Sequence, residues 1–469
     1  MFGFVAFVLL VVAGVHLYLW KRLVRDTMRP GPGRKLAGVA VIVLALLIPA
    51  TLIGVRSGYF EWLAWPGYLW LALMFYLLVA LVVIEIPRLI VSLIWRFGRR
   101  PAPDPEIVAA HSPAAGRSTA DSVPGQAASP AAAATSTRSP STNTTSTGEA
   151  GPPEGSASAD ELGDSASRAS GSTTTPATGD GLRAARSDQR DAGIDRRLLL
   201  ARGAAIFAGL TAVGITGYGV RSALGPPQLD RVRIPVAKLP RAMDGTRLAV
   251  VSDIHLGPLT GSQHMSRIVE VINSADADVV CIVGDMVDGT VEELGRFAEP
   301  LRDIRSRQGA YFVTGNHEYY SGFAPWIDEV ARLGVRPLRN ERLEIATKGG
   351  VFDLAGVNDP GGEPFGDAPN FESALGGRDT SRPVVLMAHQ PIVALDAARF
   401  GVDLQVSGHT HGGQMVPFNL LVGLQQPIVS GYGMVDGVPV YVTNGAGFWG
   451  PPVRVGVPPQ VTLIELQAP

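Results

Sequence analysis

Long apolar segments dominate the first hundred residues of the chain. Three of them, almost without charge, cover residues 2–20, 36–55 and 65–84. The third continues past Glu85 and Pro87 to Trp95. Each has the length that a helix needs to cross about 30 Å of hydrocarbon. The pattern predicts a membrane region with three transmembrane helices at residues 1–100.

The segment 101–195 has the opposite composition, because it is rich in Ala, Ser, Thr, Pro and Gly and has almost no large apolar side chains. Such a segment buries too little apolar surface to offset the entropy cost of ordering, so we predict a disordered linker. A fourth apolar segment, residues 196–222, begins with the pair Arg196 and Arg197. It fits either a fourth transmembrane helix or a signal anchor of the twin-arginine type.

Basic residues in the short loops predict how the chain crosses the membrane. The loop after the first apolar segment carries six Lys and Arg, whereas the loop after the second carries only Arg56. Basic residues also follow the third segment and precede the fourth. The positive-inside rule therefore places the N-terminus outside and the linker inside. We expect a multi-pass protein of the cell membrane whose C-terminal domain is extracytoplasmic.

Residues 226–469 alternate between short apolar runs and helical stretches. The runs predict strands at residues 248–251, 279–283, 311–313, 384–388 and 404–406. Residues 265–272 and 291–304 show helical periodicity. Alternating strands and helices, with polar residues directly after the strands, predict an α/β domain whose site lies along one edge of a sheet.

The polar residues that follow these strands are of the types that bind metal ions. They are Asp253, His255, Asp285, Asn316, His389, His409 and His411. Carboxylate, carbonyl and imidazole ligands without a thiolate suit Mn²⁺, Fe or Zn²⁺. Seven ligands are too many for one ion, so we predict two divalent metal ions. Such a pair supports in-line displacement at phosphorus.

Composition and charge exclude several classes of protein. Apolar residues make up 46% of the chain and charged residues only 17%, which excludes a purely soluble protein. The formal net charge of −2 gives no overall basic field, so we expect no nucleic-acid partner. Cys281 is the only cysteine, which excludes an internal disulfide framework and a multi-cysteine zinc site.

The motifs resemble those of the calcineurin-like metallophosphoesterases, in particular the membrane-associated, often twin-arginine-exported branch. They are Asp253-x-His255, Gly284-Asp285-x-x-Asp288, Gly315-Asn316-His317-Glu318, His389 and Gly408-His409-x-His411. The resemblance implies a four-layer α/β/β/α sandwich. It implies one metal ion bound by Asp253, His255, Asp285 and His411. It implies a second, with Asp285 bridging, bound by Asp285, Asn316, His389 and His409. Glu318 and Asn444 depart from the family pattern, which often has Asp and Arg there.

The resemblance also implies a reaction, the hydrolysis of phosphodiester, phosphomonoester or pyrophosphate bonds by a metal-activated hydroxide. His317 is expected to protonate the leaving oxygen or to stabilise developing charge. Glu318 or Asp288 is expected to orient a histidine, although Asp288 also fits a turn cap before Gly289. Arg454 is a weaker candidate, either for binding a second phosphate or lipid headgroup or for a surface salt bridge.

The membrane anchor bears on the substrate, because it raises the concentration of the domain at the bilayer. We therefore expect a phosphoester substrate that is lipid-linked, with the lipid bilayer as a second partner. The alternative is a catalytically silent, metal-binding membrane scaffold protein. The complete set of seven ligands favours the enzyme.

Overall fold

A computed structural model describes residues 2–98, 180–347 and 349–469. The predicted linker falls outside the described residues up to residue 179. Met1–Ser92 and Arg190–Pro469 form one compact unit, which contains the apolar helices and the α/β domain. Outside this unit, residues 93–98 and 180–189 are described, and both are helical.

Four long helices contain the apolar segments. They are α1 (Phe2–Leu19, followed by a π-helical turn at Trp20–Arg25), α2 (Pro32–Arg56), α3 (Ala64–Gly98) and α4 (Asp180–Leu224). The stretches that are long and apolar enough to cross a membrane are Ala6–Arg25, Pro32–Arg56, Glu61–Ile94 and Arg196–Leu224. The first includes the π-helical turn after α1, and the third includes the 3₁₀ turn before α3. Helix α4 begins at Asp180, inside the predicted linker, because residues 182–192 are rich in the good helix formers Ala and Arg and contain no Pro.

The apolar helices pack through small side chains and an ion pair between α3 and the π-helical turn after α1. Ala72, Ala208 and Ala212 are fully buried in a cluster that α1 to α4 share, as expected where membrane helices approach closely. Glu85, which interrupts the third apolar segment, forms an ion pair with Arg22. This pairing explains how α3 continues through a charged residue.

The C-terminal domain contains two six-stranded sheets, with the orders β1-β12-β2-β3-β4-β5 and β10-β11-β9-β8-β7-β6. The strands are β1 (Gln228–Pro235), β2 (Thr246–Val251), β3 (Val279–Val283), β4 (Ala310–Val313), β5 (Val335–Pro337), β6 (Glu341–Thr347), β7 (Gly350–Gly356), β8 (Val384–Met387), β9 (Leu404–Ser407), β10 (Gly431–Val435), β11 (Val438–Val442) and β12 (Gln460–Gln467). Strands β2 to β5 are mutually parallel, as are β7, β8, β9 and β11.

Short helices cover the sheets. They are α5 (Ser262–Ser274), α6 (Val291–Ala298), α7 (Asn316–Ser321), α8 (Phe323–Arg332), α9 (Phe371–Leu375), α10 (Ala394–Ala397) and α11 (Asn419–Val422). Short 3₁₀ helices occur at Glu61–Leu63, Arg241–Met243, Glu299–Asp303, Pro360–Phe365, Pro391–Val393, Ala398–Phe400 and His411–Gly413.

Alternation along the strands creates the layers of the domain. In β2, Leu248 and Val250 face the second sheet and pack in one cluster with Leu404 of β9. Ala249 and Val251 face the other way, into a cluster with α5, α6 and α8. A third cluster lies between the second sheet and helices α9 and α10. These layers confirm the expected α/β/β/α sandwich, because successive side chains of a strand point to opposite faces.

Because side chains pack tightly between the two sheets, a substitution that leaves a cavity there is expected to destabilise the domain strongly. Leu404 is 0% exposed and lies between the sheets, whereas Leu424 is 81% exposed. Leu404→Ala is expected to lower the free energy of unfolding by about 2–5 kcal/mol, and Leu424→Ala by less than about 0.5 kcal/mol. Urea unfolding of the detergent-solubilised chain, followed by tryptophan fluorescence, measures both. Equal effects would contradict this packing.

Candidate metal centre

The carboxyl ends of strands from both sheets meet at the candidate site. Asp253 and His255 follow β2, Asp285 follows β3, and Asn316 opens α7 after β4. From the second sheet, His389 follows β8, and His409 and His411 follow β9. Because these strands are parallel within each sheet, their following residues lie at one edge.

One group of three donors contains Asp253, His255 and His411, whose ligand atoms lie within 4.8 Å of one another. The two imidazoles face each other with 3.0 Å between their Nε2 atoms. His411 Nε2 is 3.3 Å from Asp253 Oδ1, and His255 Nε2 is 4.0 Å from Asp285 Oδ2. Three donors therefore point toward a common position, with Asp285 beside it.

A second group contains Asp285, His389 and His409. His389 Nε2 is 3.0 Å from Asp285 Oδ2, while His389 Nδ1 lies 2.7 Å from the carbonyl of Val283, which fixes the ring. Asn316 belongs to the same neighbourhood, because the backbone N–H of the next residue, His317, donates to Asp285 Oδ1 at 2.9 Å. Asp285 thus stands between the two groups, as a bridging ligand would.

The backbone at these positions is unusual. Asp253, His255, Asp285, His409 and His411 have φ between 49° and 72°. They are five of the nine non-glycine residues with positive φ in the described part of the chain. Left-handed conformations are costly for such residues and concentrate at functional sites. The fold therefore holds these side chains in place at the expense of backbone strain.

The donor set fits divalent metal ions. Within the described residues, the buried Asn316 Oδ1 and His409 Nδ1 have no hydrogen-bond partner, and a cation supplies the partner that such atoms need. Burial and the neighbouring His389 lower the pKa of His409 to about 4. Burial, His255 and Arg454 lower the pKa of His411. Both imidazoles are therefore neutral at pH 7, as metal ligands must be.

Asp288 joins two histidines. Its Oδ1 lies 2.8 Å from His255 Nδ1 and 2.7 Å from His317 Nδ1. Burial alone would raise the pKa of this carboxyl, but the two imidazoles outweigh burial and lower it. Of the two expectations for Asp288, the geometry fits the one in which it orients a histidine.

His317 lies beside the donor groups, with 17% of its side chain exposed. Burial disfavours its charged form, but the carboxylates of Asp285 and Asp288 outweigh burial and raise its pKa to about 9. Its ring makes edge contacts with those of Tyr320 and Trp449, at centroid distances of 5.6 and 6.2 Å. The imidazole is thus both partly accessible and held in orientation by Asp288.

Glu318 differs from the expectation that it orients a histidine. Its carboxylate accepts hydrogen bonds from the backbone N–H groups of Asp285, Met286 and Gly315, at 3.0, 2.7 and 2.6 Å. Burial, followed by the charge of Asp285, raises its pKa to about 7. Glu318 therefore fixes the loop that carries Asp285. The Glu318 side chain is longer than that of the Asp often found here in the family, and it reaches from α7 to the loop after β3.

Arg454 also differs from both of its expected roles. The side chain is 0% exposed, which does not fit a surface salt bridge and leaves no surface for a substrate to contact. Its Nε donates to the carbonyl of Gly447 at 2.6 Å, and its Nη1 to the carbonyl of His411 at 3.3 Å. Its Nη2 lies 3.2 Å from His411 Nδ1. Arg454 therefore holds the His411 ring on its Nδ1 side, while Nε2 faces the other donors.

A close contact connects this arginine to the last apolar helix. The backbone N–H of Arg454 donates to the carbonyl of Gly219 in α4 at 2.9 Å. A β-carbon at Gly219 would lie 2.5 Å from Val453 Cγ1 and 2.8 Å from Val455 Cγ2. Only glycine allows the helix to approach the 453–455 segment this closely.

Two buried groups near the site had no motif of their own in the sequence. Ser252 donates to Asp253 Oδ2. Asp359 is buried, accepts from Gln390 Nε2 at 3.0 Å, and has a raised pKa through burial. The only signal was position: Ser252 directly precedes a ligand, and Asp359 precedes the Pro-Gly-Gly turn. Asn444, the second departure from the family pattern, accepts from Ser430 at 2.6 Å.

Comparison with known proteins identifies the class. Residues 246–413 match the family described as Calcineurin-like phosphoesterase. A "Transmembrane protein with metallophosphoesterase domain" of Danio rerio is 39% identical over 268 residues, which cover 55% of this chain and 61% of that protein. The Bos taurus protein of the same name is 37% identical over 288 residues, 59% of this chain and 65% of that protein.

An "Uncharacterized metallophosphoesterase" of Helicobacter pylori strain J99 is 36% identical over 261 residues, which cover 55% of this chain and 68% of that protein. The chain belongs to the calcineurin-like metallophosphoesterases. Its matched region spans less than two thirds of the length of the Danio rerio and Bos taurus relatives. The family normally binds divalent metal ions and hydrolyses phosphoesters, which agrees with the donor groups described above.

The contact at Gly219 predicts an effect on metal binding at a distance. Gly219→Ala is expected to shift the 453–455 segment and with it Arg454, weakening Mn²⁺ binding about 10-fold, as changes behind a metal ligand do. Isothermal titration of the detergent-solubilised chain with Mn²⁺ measures the change.

Gly217→Ala is the matched control, because a β-carbon at Gly217 meets no atom within 4 Å. This control gains the same helix propensity as Gly219→Ala, and it is expected to bind Mn²⁺ like the wild type. Identical affinities in both variants would show that the contact with α4 does not position His411.

Proposed function

We propose that this protein is a membrane-anchored phosphoesterase that uses two divalent metal ions to hydrolyse phosphodiester, phosphomonoester or pyrophosphate bonds. The observation that carries the proposal is the convergence of two donor groups on Asp285, from loops after strands of both sheets. Family membership makes hydrolysis of a phosphoester the expected chemistry.

The residues divide into two ligand sets that share Asp285. One ion would be held by Asp253, His255, Asp285 and His411. The other would be held by Asp285, Asn316, His389 and His409. When bound, such ions lower the pKa of water and stabilise the charge of the attacking and leaving oxygens. The buried carboxylates of Asp253 and Asp285 supply the negative charge that favours two Mn²⁺, Fe or Zn²⁺ ions.

His317 is the residue that we assign to proton transfer. Its Nδ1 is engaged by Asp288 at 2.7 Å, which leaves Nε2 for the substrate. A histidine held in this way donates a proton to the leaving oxygen or stabilises its charge. Asp288 would orient His255 and His317 together, and Arg454 would position His411, so the substrate role predicted for Arg454 is not part of the proposal.

We also propose that the protein lies in the cell membrane as a multi-pass protein, with the domain at residues 226–469 outside the cytoplasm. The positive-inside pattern supports this orientation, which places the α2–α3 loop on the same side as the domain. In the described structure that loop and the domain share a cavity, as the common side requires. A lipid-linked phosphoester is the substrate that this location favours.

Removing the shared carboxylate is the direct test. Asp285→Ala is expected to lower kcat for bis-p-nitrophenyl phosphate by about 10³-fold or more, because several kcal/mol of charge stabilisation are lost. Release of p-nitrophenol by the full chain in detergent with Mn²⁺ measures it. The control is Asp276→Ala, whose side chain is 67% exposed and pairs with Arg307 instead of a donor residue. Wild-type protein without turnover would favour the silent scaffold.

A variant of His317 can distinguish a loss of metal binding from a loss of proton transfer. His317→Gln is expected to bind Mn²⁺ like the wild type and to lower kcat by about 10²–10³-fold, within the range for general acid catalysis. The loss is expected to be smaller for p-nitrophenyl esters than for alkyl esters, whose leaving oxygens need protonation more. A variant that loses its metal ions would instead place His317 among the ligands.

A further inference from the structure

His255, one of the seven proposed donors, lines a cavity that the α/β domain does not form alone. The cavity has a volume of about 370 Å³. One wall contains His255, Asp288 and His317. Another part of the lining comes from residues between 52 and 71, at the end of α2, in the α2–α3 loop and at the start of α3. The apolar helices therefore contribute directly to the space in front of the site.

Arg56 is the one Lys or Arg side chain that lines this cavity. It is the last residue of α2, and its guanidinium lies over the ring of Tyr320, 5.3 Å from the centroid. The ring of Tyr320 lies 5.6 Å from that of His317. A single aromatic ring thus separates the guanidinium from the imidazole assigned to proton transfer.

The environment of Arg56 leaves it able to bind an anion. The side chain is exposed, and among the described residues no carboxylate forms an ion pair with it. An arginine that stacks on an aromatic ring keeps its fork of N–H donors free for a phosphate or carboxylate. Arg56 is therefore placed to hold an anionic group other than the one that reacts.

The same wall has an apolar side. Leu52, Val55 and Leu71 line the cavity, and they belong to the stretches of α2 and α3 that are apolar enough to cross a membrane. Leu52 is 42% exposed, and its neighbour Ile53 is 70% exposed. Apolar side chains of two helices that are apolar enough to cross a membrane therefore line the cavity.

We propose, on the basis of the proposed function, that Arg56 and this apolar wall select the substrate. The substrate class is an amphiphilic diphosphate ester. Its reacting phosphate lies at the histidines, its second phosphate at Arg56, and its hydrocarbon chain along Leu52, Val55 and Leu71. Water attacks the reacting phosphorus, the P–O bond to the bridging oxygen breaks, and that oxygen leaves with a proton, giving inorganic phosphate and a lipid monophosphate.

Three probes distinguish the parts of this substrate. Farnesyl diphosphate carries both the chain and the second phosphate, inorganic pyrophosphate lacks the chain, and bis-p-nitrophenyl phosphate lacks both. Wild-type protein in detergent with Mn²⁺ is expected to have kcat/KM at least 10-fold higher for farnesyl diphosphate than for pyrophosphate. Equal values would mean that a free diphosphate is the ligand and would overturn the lipid part of the proposal.

Arg56→Gln tests the second phosphate site. The ratio of kcat/KM for farnesyl diphosphate to that for bis-p-nitrophenyl phosphate is expected to fall at least 10-fold, mainly through KM, and Arg56→Lys to restore part of it. The control is Arg221→Gln, because Arg221 is also an exposed arginine near the end of an apolar helix but lies outside the cavity.

The outcomes separate this inference from the proposed function. Hydrolysis of bis-p-nitrophenyl phosphate without hydrolysis of either diphosphate would overturn the inference and leave a phosphoesterase. An equal loss on all three probes in Arg56→Gln would show a structural role instead of recognition and would also overturn it. Absence of turnover on every probe would overturn the proposed function itself.

Discussion

The burial of carboxylates among imidazoles is the constraint on which the rest of this structure depends. Asp253 and Asp285 are almost completely buried. Asp253 Oδ1 lies 3.3 Å from His411 Nε2, and Asp285 Oδ2 lies 4.0 Å from His255 Nε2. Buried carboxylates are stable only when cations or hydrogen bonds compensate them. Two features hold that arrangement in place. Five of the seven donors have a left-handed backbone conformation, and Glu318 accepts hydrogen bonds from the loop that carries Asp285.

The sequence could predict those features of the fold and the site that depend on a local run of residues or on a short motif. Strands such as β3 and β9 could be predicted because apolar runs end directly in polar residues, and the motifs predict seven donors that follow strands of both sheets. Arg454 could not be placed, because an always-charged side chain is expected at the surface. Its burial depends on carbonyl groups from Gly447 and His411, which only the folded chain brings together.

The apolar helices are part of the domain's architecture as well as its anchor. Helix α4 touches the 453–455 segment at Gly219, and the α2–α3 loop forms a wall of the cavity. Neither contact has a sequence signature, since Gly219 is one of several glycines in α4 and Arg56 contributed only to the count of basic residues in a loop. Long-range packing of this kind follows from the tertiary structure alone.

The proposed site depends on two metal ions that share Asp285. Electron paramagnetic resonance of the detergent-solubilised chain, loaded with Mn²⁺ and analysed for metal content, tests it most directly. We expect two Mn²⁺ per chain and the spectrum of an exchange-coupled pair, because a shared carboxylate holds such ions about 3.5–4 Å apart. One ion per chain, or two with the spectrum of isolated Mn²⁺, would contradict the account.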